Sequence, residues 1–82
     1  MFEIYSKDNC ILCTKLKSLL TYRGCEYQEK NTSTGEYTKQ EIQDRVGPEK
    51  KINFVPQIFF NGEYIGGYLE ALEFIAFDKF VG

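Results

Sequence analysis

The stretch KDNCILCTKLKSLL, Lys7 to Leu20, sets two cysteines three positions apart between a β-like run and a helix-like run. Phe2 to Ser6, just before it, has the aromatic and β-branched residues of a short strand. Within and after the cysteine pair, leucines at positions 12, 16, 19 and 20 give the apolar stripe of an amphipathic helix over residues 11–23. The pair is therefore predicted at a strand-to-helix junction, where it could be half of a metal site, a structural disulfide or a redox couple.

The chain after this junction continues to alternate between strands and helices. Gly24 suits the end of the first helix, and residues 25–30 predict a polar strand near a sheet edge. Thr38 and Glu41 have the spacing of a capping box, which predicts a short helix that ends at Gly47-Pro48.

The last third of the chain predicts a hairpin and a helix. Asn61-Gly62 joins two apolar runs, residues 52–60 and 63–65, and is a strong hairpin signal. The final helix is predicted over residues 69–80, and its apolar positions are Leu69, Leu72, Ile75 and Ala76. The order β-α-β-α-β-β-α predicts an α/β protein of thioredoxin-like fold, with a four-stranded mixed sheet covered by three helices. We expect a single domain over residues 1–82.

Composition removes several classes of function. A net charge of −2 gives no basic footprint, so we predict no nucleic-acid partner. No segment approaches the roughly 20 apolar residues that span a bilayer, so we predict no membrane partner. We expect a soluble monomer in the cytoplasm, where thiols are normally kept reduced. The absence of histidine removes Cys–His nucleophilic pairs and every His-ligated metal site.

The cysteines are thus the groups that can carry chemistry. There are three of them, an odd number, so they cannot form a closed disulfide framework. A zinc site needs more ligands than Cys25 adds to the pair, so we predict no metal site and treat Cys25 as a passive, small apolar residue. A structural disulfide does not suit a reducing compartment. The pair Cys10 and Cys13 is therefore predicted to be a redox couple.

The position of Cys10 suits the thiolate form. At a helix N-terminus it meets unpaired backbone N–H groups and the positive end of the helix dipole. In Cys-x-x-Cys motifs the pKa can fall from about 8.5 to between ~3.5 and ~7.5. Lys7 adds a cation and Asp8 an opposing anion, and we expect the dipole and Lys7 to dominate. Cys13 lies one turn deeper and within reach of a disulfide with Cys10.

The segments CILC and FVPQIFFNGEYIGGY, together with the final helix, resemble the glutaredoxin family, in particular its small bacterial and phage members. The resemblance covers nearly the whole chain. It implies that Cys10 is the nucleophile, that Cys13 is the resolving cysteine, and that Pro56 is the family's cis-proline. It also implies glutathione as the reductant. The glutathione-binding residues that it implies are Lys7, Leu12, Val55, Pro56, Gly67, Tyr68, Leu69 and Glu70.

The chain departs from the family's usual residues around this site. Ile11 and Leu12 replace Pro and Tyr between the cysteines, and Phe54 replaces Thr before Val-Pro. At the start of the last helix, Leu69 and Glu70 replace Thr or Ser and Asp. Side-chain contacts to glutathione should therefore differ, while backbone contacts can persist.

Three functions follow as hypotheses. The first is a glutathione-dependent oxidoreductase that reduces protein disulfides and glutathione mixed disulfides, with ribonucleotide reductase as the partner that the family suggests. The second is a glutaredoxin that holds a [2Fe–2S] cluster across a dimer, because some family members without the motif Pro do so. The third is a redoxin of the same shape reduced by thioredoxin reductase.

Overall fold

The computed structural model describes residues 1–77, and within them the predicted order of strands and helices is confirmed. The elements are β1 (Phe2–Ser6), α1 (Ile11–Tyr22), β2 (Tyr27–Asn31), α2 (Lys39–Val46), β3 (Gln57–Phe60), β4 (Glu63–Gly66) and α3 (Tyr68–Ala76). A 3-10 turn, Thr32–Thr34, follows β2. In this part of the chain, no helix is long and apolar enough to cross a membrane.

The four strands form one mixed sheet in the order β2-β1-β3-β4. β1 is parallel to β2, whereas the pairs β1–β3 and β3–β4 are antiparallel. The hairpin between β3 and β4 turns at Asn61 and Gly62, which both have the positive φ that such a turn requires. Because β1 and β4 both run against β3, they end at the same edge of the sheet, which is also where β3 begins.

Each face of the sheet has its own hydrophobic core. Helices α1 and α3 cover one face, and the buried residues there are Phe2, Ile4, Leu16, Leu20, Ile58, Ala71 and Ile75. Helix α2 covers the other face, where the buried residues are Tyr5, Ile42, Ile52 and Phe59. Alternate residues of β1 thus face opposite cores, as the two-residue period of a strand requires.

The predicted bounds of β2 and α3 differ from those in the structure. β2 begins at Tyr27 rather than residue 25, because the Cys25 N–H still bonds to Leu20 O (2.8 Å) and completes the end of α1. β3 begins at Gln57, directly after Val55-Pro56, since Pro56 has no N–H to donate to the sheet. α3 begins at Tyr68, and the predicted helical residues after 77 lie outside the described part of the chain.

The predicted apolar stripes are only partly buried. Leu16 and Leu20 of α1 are fully buried, but Leu12 is 44% exposed; in α3, Leu69 is 69% exposed. Leu12 and Leu69 lie in the first turns of their helices, at the sheet edge and outside the two core clusters. In α3 the core position is taken instead by Ala71, and Ala76 is exposed.

The predicted capping box of α2 is only half formed. Thr38 Oγ1 accepts a hydrogen bond from the Glu41 N–H at 3.1 Å, as the motif predicts. The Glu41 carboxylate instead accepts a hydrogen bond from the Tyr5 hydroxyl. Burial, and then this hydrogen bond, raise the pKa of Tyr5. The carboxylate thus ties α2 to β1 rather than capping its own helix.

A charged cluster on this face joins α2 to two strands. Arg45 of α2 donates to both carboxylate oxygens of Glu3 at 2.9 and 3.1 Å, and Lys30 of β2 donates to Glu3 at 2.8 Å. The hydrogen bonds from Arg45 make the largest contribution to lowering the pKa of Glu3 from its usual 4.5 to about 2. Glu3 therefore favours the folded state whenever it is ionised.

The depressed pKa of Glu3 predicts an acid-sensitive stability. The stabilisation from Glu3 should be complete above its usual pKa of 4.5 and should be lost as the pH falls toward about 2. In Glu3→Gln this part of the pH dependence should disappear, which urea unfolding at a series of pH values would measure. Glu63→Gln, at an exposed position of β4, is the control and should keep the wild-type slope. An unchanged slope in Glu3→Gln would contradict the prediction.

Candidate redox site

Two cysteines occupy the start of α1, at the shared edge of the sheet. Cys10 is the N-cap residue of α1, with extended backbone angles, and Cys13 lies in the first turn. A disulfide joins them, and their Cα atoms are 5.2 Å apart. The Cys13 N–H also points at Cys10 Sγ, at 3.1 Å. The strand-to-helix junction thus brings the two sulfurs together, as their spacing indicated.

The two sulfurs differ in access. Cys13 is 1% exposed, whereas Cys10 is only half-buried, so an incoming sulfur can reach Cys10 first. When the disulfide opens, the Cys13 N–H and the N-terminus of α1 favour a thiolate at Cys10. The first turn of α1 contains no acidic residue to oppose this effect. Asp8, which the sequence suggested would oppose it, accepts a hydrogen bond from Asn31 at 3.0 Å.

The loop before β3 contains the second element of the site. The Val55-Pro56 peptide bond is cis, Pro56 is buried and Val55 is half-buried. Gln57, which is fully buried, fixes the loop because its side-chain amide donates to Phe54 O at 3.0 Å. The Tyr64 hydroxyl donates to Gln57 Oε1 at 2.5 Å. Burial, and to a smaller extent the Glu70 carboxylate, raise the pKa of Tyr64.

The start of α3 supplies the third element. Gly67 is the N-cap residue, and its N–H donates to Glu70 Oε1 at 2.7 Å. Gly66 has a φ of +132°, and a Cβ there would lie 2.7 Å from Glu70 Cβ, so only glycine fits. The Phe54 ring is so close to Gly67 that a Cβ there would lie 3.0 Å from it. The cis-proline loop and the start of α3 are thus in direct contact.

The predicted glutathione residues fall into two groups on either side of Phe54. Lys7 and Val55 line a small cleft of about 120 Å³, and its other lining residues are Thr32, Lys39, Asn53 and Phe54. Gly67, Leu69 and Glu70 lie at the start of α3, where the Glu70 carboxylate is used for capping. The Tyr68 side chain packs against the core between the sheet, α1 and α3.

Sequence reasoning missed two residues of this region. Lys39, the first residue of α2, is a second lysine that lines the cleft beside Lys7. The sequence predicts that Lys39 directly follows the N-cap Thr38, but no local pattern indicates that Lys39 lies near Lys7. Gln57 was also missed. A polar residue in an otherwise apolar strand, directly after Pro56, indicates a buried side chain that forms hydrogen bonds with its neighbours.

Exchange between thiols and disulfides is the chemistry that this pair of sulfurs can perform. One sulfur is reachable and lies at a helix N-terminus, and the other is covered and bonded to it. This arrangement can divide an attacking and a resolving role between two atoms within one helical turn. The fold and the cysteine pair together define a thiol–disulfide oxidoreductase with a thioredoxin-like fold.

Comparison with known proteins narrows this class. The family model for Glutaredoxin matches residues 2–65. Glutaredoxin 3 of Escherichia coli (strain K12) is 35% identical over 65 residues, which cover 79% of this chain and 74% of that protein. The chain belongs to the glutaredoxin family, as its motifs indicated.

Solved structures agree with this assignment. The structure of reduced Escherichia coli glutaredoxin superposes with a TM-score of 0.78 and 26% identity, and 95% of each chain is covered. A buckwheat glutaredoxin–glutathione complex superposes with a TM-score of 0.73 and 26% identity, covering 98% of this chain and 72% of that one.

Proposed function

We propose that this protein uses glutathione to reduce protein disulfides and glutathione mixed disulfides through Cys10 and Cys13. The observation that carries the proposal is the cleft at Val55, because two lysines, Lys7 and Lys39, line it. Such a cleft suits a small ligand with a carboxylate. The glutathione bound to the buckwheat relative supports a ligand of this kind in the family.

Glutathione would lie across both halves of the site. The backbone of Val55 would pair with the cysteinyl part, as an added strand pairs with a sheet edge. Lys7 and Lys39 would then face the carboxylate at the glycine end. The γ-glutamyl end would reach the N-terminus of α3, where Gly67 and its neighbours present N–H groups to a carboxylate.

The reaction proceeds by two successive displacements. The Cys10 thiolate attacks one sulfur of the substrate disulfide, and the bond's electron pair leaves with the other sulfur as a thiolate. Cys13 then attacks Cys10 Sγ, which releases the second substrate thiol and forms the Cys10–Cys13 disulfide. Two glutathione molecules reduce this disulfide and leave as glutathione disulfide. In glutathione mixed disulfides, a glutathione thiol can replace Cys13 in the second step.

The source of electrons tests the proposal. With NADPH, glutathione and glutathione reductase, the protein should turn over a disulfide substrate continuously. With NADPH and thioredoxin reductase in place of the glutathione system, turnover should stay at the background rate. The opposite result would favour the redoxin fed by thioredoxin reductase and would overturn the proposed use of glutathione.

The two lysines of the cleft should set the apparent affinity for glutathione. In Lys7→Gln and Lys39→Gln, KM for glutathione should rise about two- to fivefold each, because each change removes one exposed ion pair with a carboxylate. The effect should shrink at high salt, where exposed charges are screened. Lys51→Gln, an exposed lysine that does not line the cleft, is the matched control. Unchanged KM values in both variants would place the carboxylate elsewhere.

Two further expectations stay predictions. Ribonucleotide reductase is the protein substrate that the family resemblance suggests. A [2Fe–2S] cluster would require Cys10 thiolates from two copies together with glutathione. Anaerobic purification tests the cluster: a coloured dimer would favour it, and a colourless monomer with the full thiol count would favour the dithiol enzyme.

A further inference from the structure

Four large apolar side chains around the redox site are exposed. They are Ile11 at 72%, Leu12 at 44%, Phe54 at 59% and Leu69 at 69%, and we call them the apolar collar. Three of the four are aliphatic, and the fourth, Phe54, is aromatic. The chain thus keeps costly apolar surface in water at the place where substrates arrive.

The collar residues share one edge because of the sheet topology. β1 and β4 end at the same edge, where Tyr5 pairs with Gln57 and Ile58 pairs with Gly66. Ile11 and Leu12 directly follow Cys10 in the first turn of α1, and Leu69 lies in the first turn of α3. Phe54 lies beside the start of α3, since a Cβ built on Gly67 would be 3.0 Å from its ring.

Lysine side chains line two pockets that border the collar. Lys7 and Lys39 line the cleft that Phe54 and Val55 border. On the other side, a groove of about 460 Å³ runs past the half-buried Cys10, and its lining residues are Asn9, Cys10, Ile11, Thr14 and Lys15. A partner would therefore meet apolar side chains next to the sulfur and an ammonium group further along.

We propose that the apolar collar binds an extended segment of the protein substrate whose cysteine has apolar neighbours and a carboxylate beyond them. The inference deepens the proposed function and rests on the cysteine chemistry of that proposal. The occupant follows from the reaction, because bonding a substrate cysteine to Cys10 Sγ forces its flanking residues over the collar. Apolar flanks gain by leaving water there, and a nearby carboxylate complements Lys15.

The first displacement can be measured without glutathione. In Cys13→Ser, the reduced Cys10 thiolate attacks the peptide sulfur of a peptide–thionitrobenzoate disulfide. The Cys10–peptide disulfide forms, the original disulfide breaks, and thionitrobenzoate leaves with the electron pair as a coloured thiolate. We compare two peptides that each carry a glutamate two residues after the cysteine, in which the cysteine lies between leucines or between serines.

The collar should make the leucine peptide react about tenfold faster than the serine peptide, through partial burial of its side chains. Adding Ile11→Ser and Phe54→Ser to Cys13→Ser should reduce this ratio to about twofold. The ratio is taken within each variant, so a smaller active fraction cancels. Tyr22→Ser, at the exposed far end of α1, is the matched control and should leave the ratio unchanged.

A third peptide tests the charge. Replacing its glutamate by glutamine should slow the reaction about twofold at low salt, and the difference should vanish in Lys15→Gln or at high salt.

Equal rates for the leucine and serine peptides, or a ratio that survives the double substitution, would overturn the proposal. If Cys13→Ser does not discriminate between the two peptides and is a dimer, and if Ile11→Ser with Phe54→Ser dissociates that dimer, the collar would instead be a contact between copies of this chain. Because no glutathione is present, these outcomes are independent of whether glutathione is the reductant.

Discussion

Cys10→Ser is expected to lower the rate of the proposed glutathione-dependent disulfide reduction by about a thousandfold or more, because it removes the proposed nucleophile. Cys10 is the sulfur that an incoming disulfide can reach, and it is the one that receives the Cys13 N–H at the N-terminus of α1. A serine hydroxyl there would not ionise near neutral pH. Turnover coupled to NADPH oxidation measures the effect, and circular dichroism checks the fold.

Cys13→Ser is the matched variant, because it replaces the other sulfur of the same disulfide and keeps Cys10. Removal of glutathione from mixed disulfides should stay within about threefold of the wild type, since a second glutathione can resolve the intermediate. Reduction of a protein disulfide should fall about tenfold or more, because the covered Cys13 thiol can no longer release the trapped substrate. Full activity of Cys10→Ser, or identical losses in the two variants, would contradict the assigned roles.

Phe59→Ala is expected to destabilise the fold by about 3–5 kcal/mol, the range for removing a buried aromatic ring. Phe59 is 1% exposed in the central strand β3. The Arg45 guanidinium lies 3.8 Å from its ring centroid, and the rings of Tyr5 and Tyr64 lie at 5.7 and 5.3 Å. Removing the ring leaves a cavity between the sheet and α2 and removes an apolar partner of a charged group.

The loss is large for this chain, since small domains bury a smaller share of their surface and have little stability to spare. Urea unfolding should show a lower midpoint, and the melting temperature should fall by about 15 °C or more. Tyr22→Ala removes an aromatic ring that is 86% exposed and should change the unfolding free energy by at most about 0.5 kcal/mol. A similar small change in Phe59→Ala would mean that this core is far less tightly packed than its contacts indicate.

Local chemistry explains why much of the fold could be predicted. The leucine spacing of α1, the Thr38 cap of α2 and the Asn61-Gly62 turn each act over a few residues, so the sequence shows them directly. The same holds for Cys10 as a helix N-cap, because the predicted strand before it and the predicted helix after it place it at the start of that helix. These features were predicted because their partners are close in sequence.

Helical periodicity misled where it was applied to helix ends. It assigned Leu12 and Leu69 to the buried stripes, although both are exposed in the first turns of α1 and α3. Periodicity shows which side of a helix is apolar but not how far the covering sheet extends along it. The cap of α2 failed for a related reason, because the Tyr5 hydroxyl, distant in sequence, binds the carboxylate of Glu41.

The sequence by itself determined the order of the elements, the family, and the placement of a cysteine pair at the start of the first helix. Only the tertiary structure decided that Lys39 joins Lys7 in one cleft, that Gln57 holds the cis-proline loop, and that Leu12, Phe54 and Leu69 are exposed rather than buried in the core. The physical reason is that these contacts join residues from different elements. Their distances depend on how the sheet brings strand ends together, and no local pattern of residues encodes that.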